Sequence, residues 1–525
     1  MRDLDVLRLE RRVGLLLIPL VEGPGAAVGV ARDGELLLRR QSGLASIELN
    51  QPITPQTSFR IASVSKQFTC TAILMLAAQG MLSVDDPLSR HLPGLPGWAE
   101  TITIDQLMRN TAGLRDMLEL LRAGGVDLSH IKRPSQIDAA IARSGGVNFQ
   151  PGSRFLYSNT NFWLLGQVVE KLSRMSLADF LEERIFGPIG MTQTRHTPDM
   201  TVPVEGLATG YMPRGDGFVR AVHGFALGGE GGMVSGIEDM ALWARAVSLN
   251  LLGGGVLEAQ LQELAPLNNG TTDSYARGLE VDAWRGLKLV SHGGLWPGFR
   301  TVFLRAPARR LTVIIMTNHG GIDAAAMGMA VMEAALEGDA VLHPVPPMPK
   351  TATLDGSYVT EEGASLDLWV DEAGRPMARQ HGVAFGLGPR PDGMLHALRG
   401  GFRFAIEITA DGLALHSDAG QHAALARVEL PVAPPSWATG AWHCADVGAT
   451  WLVGDDATWR IDGPHVKAGP FEIEGLTAEL VRFLMPTALH DAWWDVRPLR
   501  DAAGKVVALE ANGARAQGLR FERVA

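Results

Sequence analysis

The chain opens on "MRDLDVLRLERRVGLLLIPLVEG", where charged and apolar residues interleave at the spacing of an amphipathic helix. The period then shortens. "GAAVGVARDGELLLRR" (Gly25–Arg40) is two apolar-rich runs hinged at Asp33-Gly34, a pair suited to the tight turn of a β-hairpin. Far downstream, "LKLVSHGG", "RTVFLRAPARR" and "LTVIIMTNHGG" predict three further strands in series. Helical periods dominate between these ends, as in "NFWLLGQVVEKLSRMSLADFLEERIF" and "SGIEDMALWARAVS", the latter with Ser235 and Glu238 at capping-box spacing. First and last strands closing into one sheet around a helical insert make an α/β (α+β) layered domain.

Two proline clusters, His343–Thr351 and Leu430–Ser436, can continue neither a helix nor a central strand. They divide the chain into expected domains at 1–342, 350–430 and 436–525. The two short parts share a phrase just after each linker, "LDGSYVTEEGASLDLWV" and "ATGAWHCADVGATWLVG", and continue in brief alternating runs broken by Gly and Asp. Seven of the twelve tryptophans fall beyond residue 345, as suits small barrels filled with aromatics. Two related antiparallel β-barrels are predicted.

Composition narrows the function. A formal charge of −10 over 525 residues excludes a phosphate-backbone partner, which needs a basic face. Cys70 and Cys444 are too few for a disulfide framework, and no CxxC holds zinc. The apolar run Val13–Val21 falls short of the about 20 residues that a membrane span needs, and acids precede it where a signal peptide would be basic. A cytoplasmic protein with no membrane partner is expected.

The candidate chemistry lies in "RIASVSKQFTCTAILMLAAQG" (Arg60–Gly80). On a helix of ~3.6 residues per turn, Ser63 and Lys66 share one face. The helix N-terminus offers N–H groups to a developing oxyanion and disfavours charge on Lys66. An amine held neutral can take the proton of Ser63, activating a weak nucleophile. A solvated Ser and Lys on a core-packed helix would look the same. A second S-x-x-K, Ser129–Lys132, is followed at once by Pro134 and no apolar run, and is set aside. Cys70 falls two turns below Ser63 on the same face, pointing into the core, and is no rival nucleophile. Tyr157-Ser158-Asn159 stands in a turn before a helix, where a phenol can relay protons and an amide can hold Lys66 or a carbonyl. His292-Gly293-Gly294 ends a strand, offering a polarising donor and a backbone that a ligand can approach closely.

In the order S-x-x-K, Y-x-N, H-x-G, these motifs resemble the penicillin-recognising serine hydrolases: class C β-lactamases, DD-peptidases, related esterases and D-aminopeptidases. The resemblance spans about the first 335 residues, through "NTAGLRD", "FQPGSRFLYSN" and "ERIFGPIGM". It is closest to the D-aminopeptidases, which also carry two C-terminal barrels. It implies Ser63 as the acylated nucleophile, Lys66 as its base and Tyr157 as acid/base for the leaving amine. Asn159 would ligate Lys66 and substrate, and His292 would stand in the third box beside Gly294. Backbone N–H groups of Ser63 and Leu295 would form the oxyanion hole. No metal or cofactor is implied; β-lactams are expected as inhibitors and a homodimer as the assembly.

His292 replaces the lysine common in that box, so carboxylate recognition should weaken, favouring amides and esters with a free amine. The resemblance suggests a loop of the last barrel reaching the cleft, matched here by Met485–Val496 with Asp491 as anchor for the ammonium. The expected substrate is a small peptide, amide or ester with an N-terminal D-residue. The alternatives are an esterase, a β-lactamase or DD-carboxypeptidase-like hydrolase, and an inactive scaffold with ligand-binding barrels.

Overall fold

The computed structural model describes residues 5–524 apart from 127–128, 131, 222, 253–254, 339–341, 351–353, 398–402, 411, 418–421, 431 and 488–490. The opening pattern does form a helix, α1 (Val6–Leu17), whose first turn is capped by the Asp5 side chain accepting from the Arg8 N–H. Its apolar residues Leu9, Val13 and Leu17, four apart, are the buried stripe.

The central sheet is antiparallel throughout. Its strands are β1 (Ala26–Arg32), β2 (Glu35–Ser42), β3 (Glu280–Trp284), β4 (Leu287–Trp296), β5 (Phe299–Ala306) and β6 (Leu311–Thr317), in the order β3-β4-β5-β6-β1-β2. First and last strands therefore meet as the sequence predicts, with β3 an additional edge strand. The β1–β2 turn has Asp33 at φ 56° and Gly34 at φ 79°, the two positive values that a two-residue hairpin turn requires. All of β6 is buried because both faces are covered. Leu311, Val313 and Ile315 pack with α1 and the C-terminal helix Ala324–Ala335, whereas Ile314 and Met316 join the helical insert.

The capping box expected at Ser235 does not form. Ser235 ends a short strand that pairs with Phe59, and its hydroxyl meets Thr194 Oγ1 at 2.8 Å. The helix Ile237–Ser248 starts after Gly236 instead, and Glu238 turns outward to pair with Arg39. Strand pairing has overridden a local motif.

Beyond the sheet stand two closed eight-stranded antiparallel barrels, from Gly356 to Val428 and from Gly440 to Arg523. Trp442, Trp451, Trp459 and Trp494 are wholly buried inside the second. The first is filled by Tyr358, Phe385, Phe404 and aliphatic residues, and its Trp369 lies outside that core under Arg379. Aromatic residues thus fill both barrels as expected, but tryptophan does so only in the second. Buried Asp495 of the second accepts the N–H and Oγ–H of Ser365 of the first, at 2.9 and 2.6 Å.

The second barrel also grips the N-terminal domain. Leu120 and Ala123 of the short helix Met117–Ala123 complete the barrel's apolar core, and Trp451 Nε1 donates to the Ala123 carbonyl at 2.9 Å. Arg115, just before that helix, pairs with Asp446.

Candidate active site

After Arg60 the chain turns sharply. Ala62 has φ 47°, a left-handed conformation that costs a residue with a Cβ roughly 1 kcal/mol or more. A single 3₁₀ turn, Ala62–Ser65, then presents Ser63 and leads into the helix Lys66–Ala78, α2. Ser63 is the partly exposed member of an otherwise buried turn. Strand β4 runs against this turn at backbone contact. A side chain on Gly294 would collide with the Ile61 carbonyl, which accepts a hydrogen bond from Thr301 Oγ1 at 3.0 Å. Gly294 is small for that reason. Pairing with β3 stops at Ser291 opposite Glu280, so His292–Trp296 continue as an edge with no partner from β3. Leu295, opposite Arg300, is half exposed on that edge.

Helix α2 is not amphipathic: Lys66–Leu74 and Leu76 are all buried. Lys66 is therefore a wholly buried amine, and burial, more than any neighbouring charge, holds its pKa well below the ordinary lysine range. Its Nζ lies 2.6 Å from the Glu230 carbonyl, 2.9 Å from Asn159 Oδ1 and 3.1 Å from Ser63 Oγ. A neutral amine has two hydrogens and one lone pair. The carbonyl and the amide oxygen can only accept, so they take both hydrogens. In that neutral form the lone pair is left for Ser63, whose hydroxyl donates to it, whereas in the charged form Nζ donates to Ser63 Oγ.

Asn159 is itself oriented. Asp116 Oδ2 accepts from the Asn159 backbone N–H at 2.6 Å and from Nδ2 at 3.0 Å, which turns Oδ1 toward Lys66. The other oxygen of Asp116 caps the helix Met117–Ala123 through the Leu118 N–H at 2.9 Å. Asn159 begins the helix Asn159–Ser173, so the Y-x-N turn and its helix fall where the pattern predicts. Tyr157 is buried with Lys66 Nζ 4.9 Å from its ring centre. Burial pushes its phenol well above 10, opposed by the Ser63 hydroxyl and the Arg515 guanidinium. It is a phenol that keeps its proton until a strong base appears.

His292 does not present a donor to the cleft. Its Nδ1 lies 2.7 Å from the Gly293 carbonyl, an acceptor only, so Nδ1 carries the hydrogen and Nε2 accepts from the Tyr275 hydroxyl at 3.0 Å. Burial, then the nearby charge of Lys66, lowers its pKa to about 3. The imidazole is neutral, as the residue type suggested, but both its nitrogens are engaged.

The structure brings Ser63, Lys66, Tyr157, Asn159, His292, Gly294 and Leu295 to one place, and leaves Asp491 out of it. Asp491 is an exposed strand residue whose carbonyl lies against Gly382 of the first barrel, at the seam between barrels. Residues 488–490 of the loop assigned to the cleft lie outside the described residues. The last barrel does reach the centre, through the loop that joins its final two strands. There Arg515 holds its guanidinium 4.8 Å from the Tyr157 ring centre. No sequence motif marks this loop, Tyr275 or the Glu230 carbonyl, whereas Asp116 has a signal as the end of "NTAGLRD". Lys132 of the discarded S-x-x-K is drawn into a β-bridge with Phe225, outside any helix. Cys70 is buried in the helix that follows Ser63, its thiol pushed up by burial.

Residues 16–336 match the beta-lactamase family profile. The chain belongs to the beta-lactamase family. The D-aminopeptidase of Brucella anthropi is 31% identical over 371 residues, covering 70% of this chain and 69% of that protein. The D-aminopeptidase of Brucella canis is 31% identical over 374 residues, with the same two shares. The chain is thus an enzyme of D-aminopeptidase-like kind. Among solved structures, an octameric penicillin-binding protein homologue from Pyrococcus abyssi superposes at TM-score 0.57 and 18% identity, over 98% of this chain and 99% of that one. The D-amino acid amidase of Ochrobactrum anthropi superposes at TM-score 0.52 and 24% identity, over 62% and 96%. At those identities the likeness speaks for the fold, which in the first case extends through both barrels. Among the described residues, no helix is long and apolar enough to cross a membrane.

Proposed function

We propose that this enzyme releases N-terminal D-amino acids from D-aminoacyl peptides, amides or esters through an acyl-enzyme on Ser63. The observation that carries the chemistry is the contact set of Lys66: two obligate acceptors occupy the hydrogens of a buried amine and leave its lone pair at Ser63 Oγ. In the first step Oγ bonds to the substrate carbonyl carbon and its proton passes to Lys66 Nζ. The tetrahedral oxyanion takes hydrogen bonds from the N–H groups of Ser63 and Leu295. The C–N bond then breaks. Tyr157 hands its proton to the leaving nitrogen and is reprotonated from Lys66. In the second step water adds to the acyl ester, gives its proton back through the same groups, and frees the D-amino acid and Ser63. The substrate assignment draws on the named D-aminopeptidase relatives.

The test pairs D- and L-alanine p-nitroanilide with D-alanine methyl ester and a cephalosporin on one preparation. The reading expects the D-anilide to be preferred, Ser63→Ala to abolish turnover, and Lys66→Ala to lower kcat by at least ~10³-fold, since water does not replace a positioned base. A labelled acyl group should map to Ser63. Preferential opening of the cephalosporin, or equal rates on N-acetylated and free D-alanyl substrates, would instead make the enzyme a β-lactamase or an esterase.

A further inference from the structure

The last barrel brings a cation to the cleft where an anion was expected. The loop Gly513–Gly518 lies between the strands Val506–Asn512 and Leu519–Arg523. Its backbone is fixed from both sides. The Arg515 carbonyl accepts from the Asp116 N–H at 3.0 Å and from Asn148 Nδ2 at 3.2 Å. The Gln517 N–H donates to Asn148 Oδ1 at 2.8 Å, and Arg115 Nε donates to the Gln517 carbonyl at 3.1 Å. On this rigid mount the Arg515 guanidinium lies 4.8 Å from the Tyr157 ring centre.

The charges around it are engaged elsewhere. Arg115 pairs with Asp446 and Arg122 with Glu119; Arg154 bonds Gln517, and Arg403 of the first barrel pairs with Asp273. Asp116, whose N–H donates to the Arg515 carbonyl, is occupied on both side-chain oxygens by N–H donors. Among the described residues, none places a carboxylate in ion-pair contact with Arg515, which is half-buried rather than sealed. A guanidinium held over a ring without a carboxylate partner keeps its N–H donors, the fork that a carboxylate fits.

We propose that Arg515 determines substrate choice by binding a carboxylate on the leaving-group half, so that the preferred substrates are D-aminoacyl dipeptides with a free C-terminus. The proposal rests on the acyl-transfer reading above, in which Tyr157 stands beside the leaving nitrogen. In a dipeptide the carboxylate carbon is two bonds from that nitrogen. A nitrogen at the Tyr157 hydroxyl therefore sets the carboxylate within reach of a cation stacked on the same ring. An amide leaving group carries no such charge, and a longer peptide carries it farther out. The selectivity for uncharged substrates expected from His292 is thereby reversed by a residue of another domain.

The test compares D-alanylglycine with D-alanylglycinamide, which share the scissile bond and differ in the terminal charge. In the wild type, kcat/KM should favour D-alanylglycine by at least ~10-fold, and Arg515→Met should bring the ratio to about 1, with Arg515→Lys between them. Equal losses on both substrates, which leave the ratio standing, would mean that Arg515 acts only through Tyr157 and would overturn the proposal. A wild-type ratio near 1 would overturn it too. Because turnover itself depends on the peptidase reading, the same pair is titrated calorimetrically into Ser63→Ala and Ser63→Ala/Arg515→Met. Tighter binding of D-alanylglycine by ~10-fold in the first, lost in the second, supports the carboxylate site even if neither compound is cleaved. Equal affinities, or no binding of either, refute it.

Discussion

Asp116 is a stringent place to test how the base is set. All its hydrogen-bond partners are donors: two from Asn159 on one oxygen, and the Leu118 and Glu119 N–H groups on the other. Asp116→Asn keeps the shape but turns an NH₂ against one of these pairs. If it faces Asn159, that amide flips to offer its oxygen to residue 116 and its NH₂ to Lys66. The amine lone pair is then claimed by Asn159 and lost to Ser63. If it faces the helix, a cap worth about 1 kcal/mol is lost instead. A misdirected buried hydrogen bond costs about 1–3 kcal/mol. The expectation is a fall in kcat of roughly 10- to 100-fold, with a smaller loss of stability. A second readout has its own sign. The Asp116 carboxylate raises the pKa of Lys66, opposing the burial that lowers it. Removing the charge makes the amine easier to keep neutral, so the acidic limb of kcat/KM against pH should move to lower pH while the plateau falls. D-Alanine p-nitroanilide followed from pH 5 to 9, with urea unfolding alongside, gives both. A folded variant whose plateau stays within about two-fold of wild type would refute the orientation argument, as would a limb that moves to higher pH.

Two further outcomes follow from the imidazole environments. His292→Lys should not create a carboxylate site: the position is buried and the permanent charge that bears on it, Arg403, is a cation, so the variant should lose about 3 kcal/mol of stability or more by urea unfolding. A variant as stable as wild type would show that the side chain can reach water. Acid should destabilise the fold from pH 6.5 downward, because His292, His196 and His223 resist protonation until about 3, 4 and 4. Their pKa values are lowered on folding, so between those values and 6.5 the unfolded chain binds more protons and stability rises with pH, by up to about 1.4 kcal/mol per unit for each ring. Stability measured by urea that is flat from pH 7 to 5 would contradict this.

What the sequence made legible was local. Ser63 and Lys66 are separated by one helical turn, Tyr157 and Asn159 by one residue, and His292 and Gly294 share a strand end. Each motif fixes its own geometry whatever surrounds it. The partners that give these residues their states come from far along the chain. The Glu230 carbonyl meets Lys66 from 164 residues away, and Asp116 reaches Asn159 across 43. No spacing rule encodes either contact. The barrel loop that carries Arg515 is hidden from the sequence for the same reason. An acid in a hairpin is visible in sequence, but which end of a closed barrel faces the cleft is set by how Leu120 and Ala123 dock into it. Ser235 shows the limit even for short motifs, since pairing with Phe59 overrode a capping box four residues long.

The seating of Met117–Ala123 in the last barrel has an evolutionary consequence. A lineage that discarded the barrel would strip the cover from Leu120 and Ala123, take the Arg515 carbonyl from the Asp116 N–H, and unsettle the carboxylate that aims Asn159. Loss of the barrel is therefore a step through an impaired enzyme, which selection resists even where the loop itself confers nothing. Change at Arg515 carries no such penalty, because it is the backbone carbonyl of that residue, not its side chain, that braces Asp116. Divergence among descendants of this chain should gather at positions 514 and 515, while buried Ala516, the Gln517 side chain held by Arg154 and the seat beneath them stand still, so that new diets are acquired at the far end of the gene and the machinery near its start is inherited unaltered.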